Sequence, residues 1–436
     1  MMAIAKDTDK SGTGAGNQTS ASKDAFRGAL QLSVLVGAAL GAFLFAFASP
    51  MVHGLIGNDA IGSDVTAAAI RYVRIRSLGI PASAVIGTAQ AGCLGLQDVK
   101  SPLYVIGVAA TLNFFLDLLL VGRPQKWVGG TAGAAWATIL SQYVAMSLFL
   151  KWLAGRRQPT YAMGSTVETL KTEEGKSFSA RGFLSGRLGW KKFFRSKPNN
   201  QTIDGFKPYV IPVTTTQIGR CSTYVALGYV VSSTFGTTSM AANQIITSIF
   251  YSLIPIADSL SLTAQSFIPS LLSKSDHPDS RKQASIAMKL MTKNMLKVAG
   301  IFGGVLASIV ACIPFACRFF TADPAVTNLV TRVVPILVTI FSLHGVFCGA
   351  EGILLAQRDL KFLGRMYAGY FVVVPWLMLQ IKSAAQAGRA VDLLSVWQLF
   401  LAYQLFRITA WTSRVVWLQR CRDAKAANTD PPPILD

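Results

Sequence analysis

RYVRIRSLGIPASAVIGTAQAGCLGLQDVKSPLYVIGVAATLNFFLDLLLV, residues 71–121, followed by GGTAGAAWATILSQY at 129–143, is the stretch that decides the fold. Its apolar runs are long enough to cross a bilayer, which takes about 20 residues of helix. Asp117 sits inside one of them, four residues after Asn113. On an α-helix that spacing puts both side chains on one face, one turn apart. A carboxyl at mid-membrane costs about 2.5–3.5 kcal/mol on insertion scales, so it marks a functional site by default. The competing reading is a structural hydrogen bond between helices.

Composition points the same way. The chain has 436 residues, 51% hydrophobic and only 14% charged, with mean hydropathy +0.43. Soluble domains carry about 25% charged residues. The deficit, with repeated long apolar runs, indicates an all-α polytopic membrane protein. The six cysteines (Cys93, Cys221, Cys312, Cys317, Cys348, Cys421) show no metal-ligand spacing and read as small core residues. The three histidines (His53, His277, His344) form no HExxH. No cofactor is expected.

Ten candidate spans follow in order: 28–53, 70–96, 102–122, 131–153, 209–235, 241–272, 288–319, 326–356, 362–380 and 393–417. They divide the chain into a polar N-terminal segment (1–27), four spans (28–154), a basic linker (155–206), six spans (207–418) and a polar tail (419–436). The N-terminal segment has no apolar h-region, so it is no secretory signal.

The net charge is +20. Between Lys151 and Lys207 there are twelve Lys or Arg against four Asp or Glu. With a cytoplasmic amino terminus this linker lies inside. The outer connections carry only Arg123, Lys126, Lys382 and Arg389, opposed by Asp59, Asp64, Asp323 and Asp392. That is the positive-inside rule, so the basicity sets topology and implies no nucleic-acid partner. The segment FSARGFLSGRLGWKKFFRSK (178–197) reads equally as an interfacial helix on anionic lipid or a solvated linker.

Two helix ends resemble each other: AQAGCLGLQDVK (89–100) and AEGILLAQRDLK (350–361). Transporters are commonly built from such repeats. The first copy lies on the second span of its bundle and the other on the fourth of its own. Two spans are therefore expected to be absent from the front of the first bundle.

YVRIRSLGIPA (72–82), AQAGCLGLQDVKSPL (89–103), the Asn113–Asp117 pair, GTAGAAWATILSQY (130–143), AANQIITSIFYSLIPIADSLSLTAQSFIP (241–269) and EGILLAQRDLKFL (351–363) together resemble the multidrug and toxic compound extrusion (MATE) family, in its plant and algal branch with plastid-envelope members. The resemblance implies twelve helices in two six-helix lobes around a central cavity, of which this chain holds ten. It also implies roles. Asp117 with Asn113 matches the amino-lobe cation or proton site, with Thr138 and Gln142 candidates to line the same pocket or to serve as interhelical glue. Asp258 and Arg220 are a candidate charge pair of the second lobe. Glu351 is a third intramembrane acid, with Gln90 its counterpart in the first bundle, and Gln244 and Gln265 are candidate cavity positions. Relatives carry a Glu where this chain has Gln217 and Arg220, which speaks against their second-lobe proton site here. Arg74 and Arg76 read as anchors at a helix start. Tyr143, Tyr251 and Trp376 are candidate substrate contacts that read equally as packing.

The expected function is a secondary active antiporter that exports small organic compounds in exchange for H⁺ or Na⁺ by alternating access, acting as a monomer among membrane lipids. The expected location is the plastid envelope, or else the plasma or vacuolar membrane. A truncated, non-transporting paralogue or regulator is the alternative. A flippase for lipid-linked substrates has only Arg220 in its favour. The chain has no HExxH or GxSxG to suggest an enzyme.

Overall fold

In the computed structural model, residues 15–56, 63–96, 98, 100–155, 183–184, 200–275 and 281–427 are described. The chain divides into two compact units, 1–208 and 209–436.

The first unit holds α1 (Ala15–Ala46), α2 (Ala48–Ile56), α3 (Ser63–Ser77), α4 (Ile80–Gly95), α5 (Lys100–Leu120) and α6 (Gly130–Ala154). Its core gathers Phe26 and Leu30 of α1, Val85 and Cys93 of α4, and Phe149 and Leu153 of α6. The single span expected over 70–96 is instead two helices, α3 and α4, meeting at 48°. Ser-Leu-Gly-Ile-Pro explains the break. Pro81 has no N–H to give the Ser77 carbonyl, and Gly79 packs against Gln142 and Ile139 of α6, where a Cβ would push the Gln142 amide aside. Tyr143 of α6 donates its hydroxyl to the Leu78 carbonyl (2.9 Å) at the break. Arg74 and Arg76 therefore sit in the last turn of α3 and not at a helix start. There they face the negative end of its dipole.

The second unit holds α7 (Asn200–Thr234, which begins before the boundary), α8 (Thr237–Ser275), α9 (Arg281–Ala311), the one-turn α10 (Ile313–Ala316), α11 (Pro324–Ala356), α12 (Leu360–Gln386) and α13 (Leu393–Ala427). α11 is buried along most of its length and packs against α8, α9 and α13. Small residues let it approach α9. A Cβ on Gly345 would lie 2.1 Å from the Ala299 carbonyl, and one on Gly303 would lie 2.3 Å from that of Ser342. Close backbone approach of this kind is how helices pack where no hydrophobic effect drives them together.

Among the described residues, eight helices are long and apolar enough to cross a membrane, or nine with the bent α3–α4 pair counted as one. The tenth expected span, 209–235, lies on α7. This helix has the length, but its Thr-Thr-Thr-Gln-Ile-Gly-Arg-Cys-Ser-Thr centre (214–223) lowers its hydropathy. The cysteines also differ from expectation. Cys93, Cys317 and Cys348 are buried, whereas Cys221 and Cys312 are exposed. The segment 178–197 lies outside the described residues except for Phe183 and Leu184; Leu184 is buried and bonds through its N–H to the Leu153 carbonyl (3.0 Å).

The repeated helix ends occupy matching places. In the first unit Asp98 caps the start of α5 through the Ser101 N–H (3.0 Å), and Trp152 of α6 donates to the Ser101 hydroxyl (2.8 Å). In the second, Asp359 stands before α12 and accepts from Arg414 Nε of α13 (2.7 Å). Each turn is thus tied to the last helix of its own unit.

Gly345→Ala should destabilise the α9–α11 contact by about 1–3 kcal/mol, the usual cost of overpacking. Gly304→Ala, where a Cβ meets nothing within 4 Å, should keep or slightly raise the thermal unfolding midpoint in detergent, since alanine favours a helix interior over glycine.

Candidate functional site

The two units place their polar groups differently. In the first, α5 turns Leu103, Phe114, Phe115, Leu118 and Leu119 outward. Asn113 and Asp117 lie on the half-buried side of the same helix, which packs on α6. Asn113 Nδ2 and Asp117 Oδ1 are both buried, and among the described residues neither has a hydrogen-bond partner. A buried carboxylate oxygen without a donor is costly. The asparagine offers both an amide donor and a carbonyl oxygen beside it.

The two α6 candidates turn elsewhere. Thr138 donates to the Ala134 carbonyl of its own helix (2.9 Å). Gln142 accepts from Arg76 Nη1 (3.5 Å) and packs at the α3–α4 break. Among the described residues neither hydrogen-bonds to Asp117. Gln90 is half-buried on α4.

In the second unit a charged network crosses the bundle. Arg220 of α7 donates through Nη2 to Glu351 Oε1 of α11 (2.8 Å). The Tyr367 hydroxyl of α12 donates to the same oxygen (2.7 Å). Arg407 of α13 donates through Nη2 to the Tyr367 hydroxyl (2.8 Å) and through Nη1 to Gln404 (2.9 Å). The Arg407 guanidinium also lies over Phe347 at 4.0 Å and Tyr403 at 4.9 Å. Arg220 therefore pairs with Glu351, which corrects the expected pairing with Asp258. Asp258 instead accepts from the Cys348 thiol (3.6 Å).

The remaining candidates are peripheral to this network. Gln244 reaches Ser248 (3.4 Å) and Gln265 reaches Ser261 (3.1 Å), each within α8. Tyr251 is half exposed and packs on Tyr224, with ring centroids 5.5 Å apart. Trp376 lies on the apolar outer face of α12 beside Val372 and Leu379. Gln217 is exposed on α7.

Tyr367 and Arg407 escaped the sequence reading. Arg407 had a visible signal, a lone charge inside QLFRITAW (404–411). Tyr367 had none, because a tyrosine in a span reads as packing. Among the described residues, no three His, Cys, Asp or Glu are placed to hold a metal ion.

Tyr367→Phe removes both the donor to Glu351 and the acceptor for Arg407. It should cost about 1.5–3 kcal/mol, the range for hydrogen bonds to charged groups. The coupling is read by a double-mutant cycle of Arg220→Leu and Glu351→Leu on thermal unfolding. The double variant should lose less stability than the sum of the two singles.

The MatE family model matches residues 12–119. The chain is 25% identical over 358 residues to Protein DETOXIFICATION 47, chloroplastic, of Arabidopsis thaliana, covering 81% of this chain and 56% of that protein. It is 25% identical over 398 residues to Protein DETOXIFICATION 45, chloroplastic, of the same plant, covering 89% of this chain and 60% of that protein. The chain thus spans little more than half the length of these relatives. Its fold matches an inward-facing multidrug resistance MATE family transporter with a TM-score of 0.61 at 14% identity, over 99% of this chain and 89% of the other. It matches a MATE structure in the bent conformation with a TM-score of 0.63 at 12% identity, over 94% and 85%. Family model, relatives and fold agree that this multi-pass membrane chain is similar to proteins of the MATE family, among them its plastid-type plant members.

Proposed function

We propose that this chain is a secondary active antiporter that exports small organic compounds across a membrane in exchange for H⁺ or Na⁺, by alternating access. The observation that carries the reading is the buried Asp117 Oδ1, on a residue one helical turn from Asn113, whose Nδ2 is also buried, both without a partner among the described residues, on an apolar helix. An acid in that setting binds a proton or cation in one state and releases it in another. Coupling follows if the two states differ in how well they hold that ion, since a ligand shifts an equilibrium only by its differential affinity. The plastid envelope is the favoured location, because the DETOXIFICATION 47 and 45 proteins are described as chloroplastic.

The test uses the full chain in proteoliposomes loaded with a fluorescent organic cation, under an imposed pH or Na⁺ gradient. Asp117→Asn should reduce gradient-driven flux to the leak of protein-free vesicles, and Asp117→Glu should retain part of it. Flux in Asp117→Asn equal to that of the unmodified chain would remove the coupling role. An unmodified chain that moves nothing under either gradient would favour the non-transporting reading.

A further inference from the structure

α9 changes character along one exposed row. Lys289, Lys293 and Lys297 are exposed at four-residue intervals, and Ile301, Val305 and Ile309 continue the same interval, also exposed. Residues four apart stand one above the other on a helix. A single row therefore passes from three ammonium groups to three aliphatic side chains between Lys297 and Ile301. Around the lysines the surface is mixed, with Ile286, Leu290 and Asn294 exposed among them, as on a helix lying at a membrane interface. Beyond Lys297 it is not: Val298 is aliphatic, Gly304 has no side chain, and Ser308 gives its hydroxyl to the Gly304 carbonyl (3.0 Å).

Length places the change in the bilayer. From Lys297 to Ala316, the end of α10, is about 29 Å at 1.5 Å per residue, close to the ~30 Å of a hydrocarbon core. Lys297 then stands at the edge of that core, Lys293 about 6 Å and Lys289 about 12 Å outside it. The headgroup layer is roughly 5–8 Å deep, so Lys297 and Lys293 border it and Lys289 reaches past it. The edge is the inner one, because Asp323 of an outer connection follows α10. α13 gives the level independently. Its Asp423 accepts from the Ser285 hydroxyl (2.9 Å), and the exposed Trp417 lies about 9 Å deeper on α13, as Lys293 lies about 12 Å deeper on α9. Exposed tryptophan marks the headgroup level. Helical side chains tilt toward the N-terminus, here the inner end, so the Lys297 ammonium reaches back out of the hydrocarbon along its own stem. The partners divide at the same depth. Lys289 pairs with Asp423 (3.5 Å), whereas among the described residues Lys293 and Lys297 pair with no acid.

We infer that Lys293 and Lys297 of α9 bind the phosphate of an anionic phospholipid of the inner leaflet, with its acyl chains along Ile301, Val305 and Ile309. Two features commit the site to a lipid. The two ammonium groups at headgroup level call for a negative charge, and the aliphatic row that continues from them matches acyl chain and would give a soluble anion nothing. The inference does not depend on antiport: a chain that moved no substrate would still hold the lipid.

The test titrates the full chain, in a neutral detergent, with phosphatidylglycerol and with phosphatidylcholine of the same acyl chains, and counts bound lipids by native mass spectrometry. The unmodified chain should bind phosphatidylglycerol more tightly. K293Q and K297Q should each weaken that binding about fivefold, the effect of one lysine near an anionic headgroup, and leave phosphatidylcholine binding unchanged. K293R/K297R should keep the preference, and so should K289Q, whose lysine is paired with Asp423. All five positions changed are exposed lysines, and the thermal unfolding midpoint of each variant shows that it is folded. Equal affinity of the unmodified chain for the two lipids would overturn the inference. So would an unchanged preference in K293Q/K297Q. Dimers of the unmodified chain that K293Q/K297Q dissolves, without any lipid preference, would assign the row to a second copy and overturn it as well.

Discussion

One carboxylate oxygen organises the second unit. Glu351 Oε1 receives Arg220 from α7 and Tyr367 from α12, and Tyr367 brings in Arg407 from α13. The acid itself stands on α11, so a single atom ties the buried central helix to three neighbours. The arrangement is forced by burial. Arg407 is 2% and Glu351 3% exposed, and neither charge survives in a low-dielectric core unless it is paired or hydrogen-bonded. Phe347 and Tyr403 add ring faces to the Arg407 guanidinium, an interaction that strengthens once water is excluded.

The first unit follows the opposite plan. Its intramembrane acid, Asp117, has an amide one turn away and, among the described residues, no cation paired with it. The repeated helix end places neutral Gln90 where the second unit has Glu351. One unit is therefore braced by a paired charge network, in which Arg220 Nε and Arg407 Nε are still buried without a partner among the described residues, and the other carries an acid with an amide one turn away. That asymmetry supports reading Asp117 as the working group and Glu351 as a fixed one.

Much of this was legible in the residues. Hydropathy and the length of the apolar runs gave the helices, because a bilayer imposes a single length scale. Isolated polar residues in those runs gave Asp117, Asn113, Asp258, Arg220 and Glu351, because each is expensive there. The partners were not legible. Arg220 and Glu351 are 131 residues apart, and no local pattern distinguishes Glu351 from Asp258 as the acid facing α7. The bend after Ser77 was signalled by Gly79 and Pro81, but proline also occurs in unbroken spans here, as Pro335 does in α11. The polarity of α7 was visible in its threonines and was outweighed by the apolar residues flanking them.

The same network sets an order of events during synthesis. α7 is not among the helices apolar enough to cross a membrane on composition, and it carries Arg220. Glu351 is made 131 residues later, which at roughly 5–20 residues per second is a delay of roughly 7–26 s. Arg407 has no such wait, because Glu351 and Tyr367 precede it in the chain. α7 must therefore be held at the membrane, by the insertion machinery or by a polar neighbour such as α8, until α11 arrives. Its seating in the bilayer is a late, cooperative step of assembly, governed by a residue on another helix.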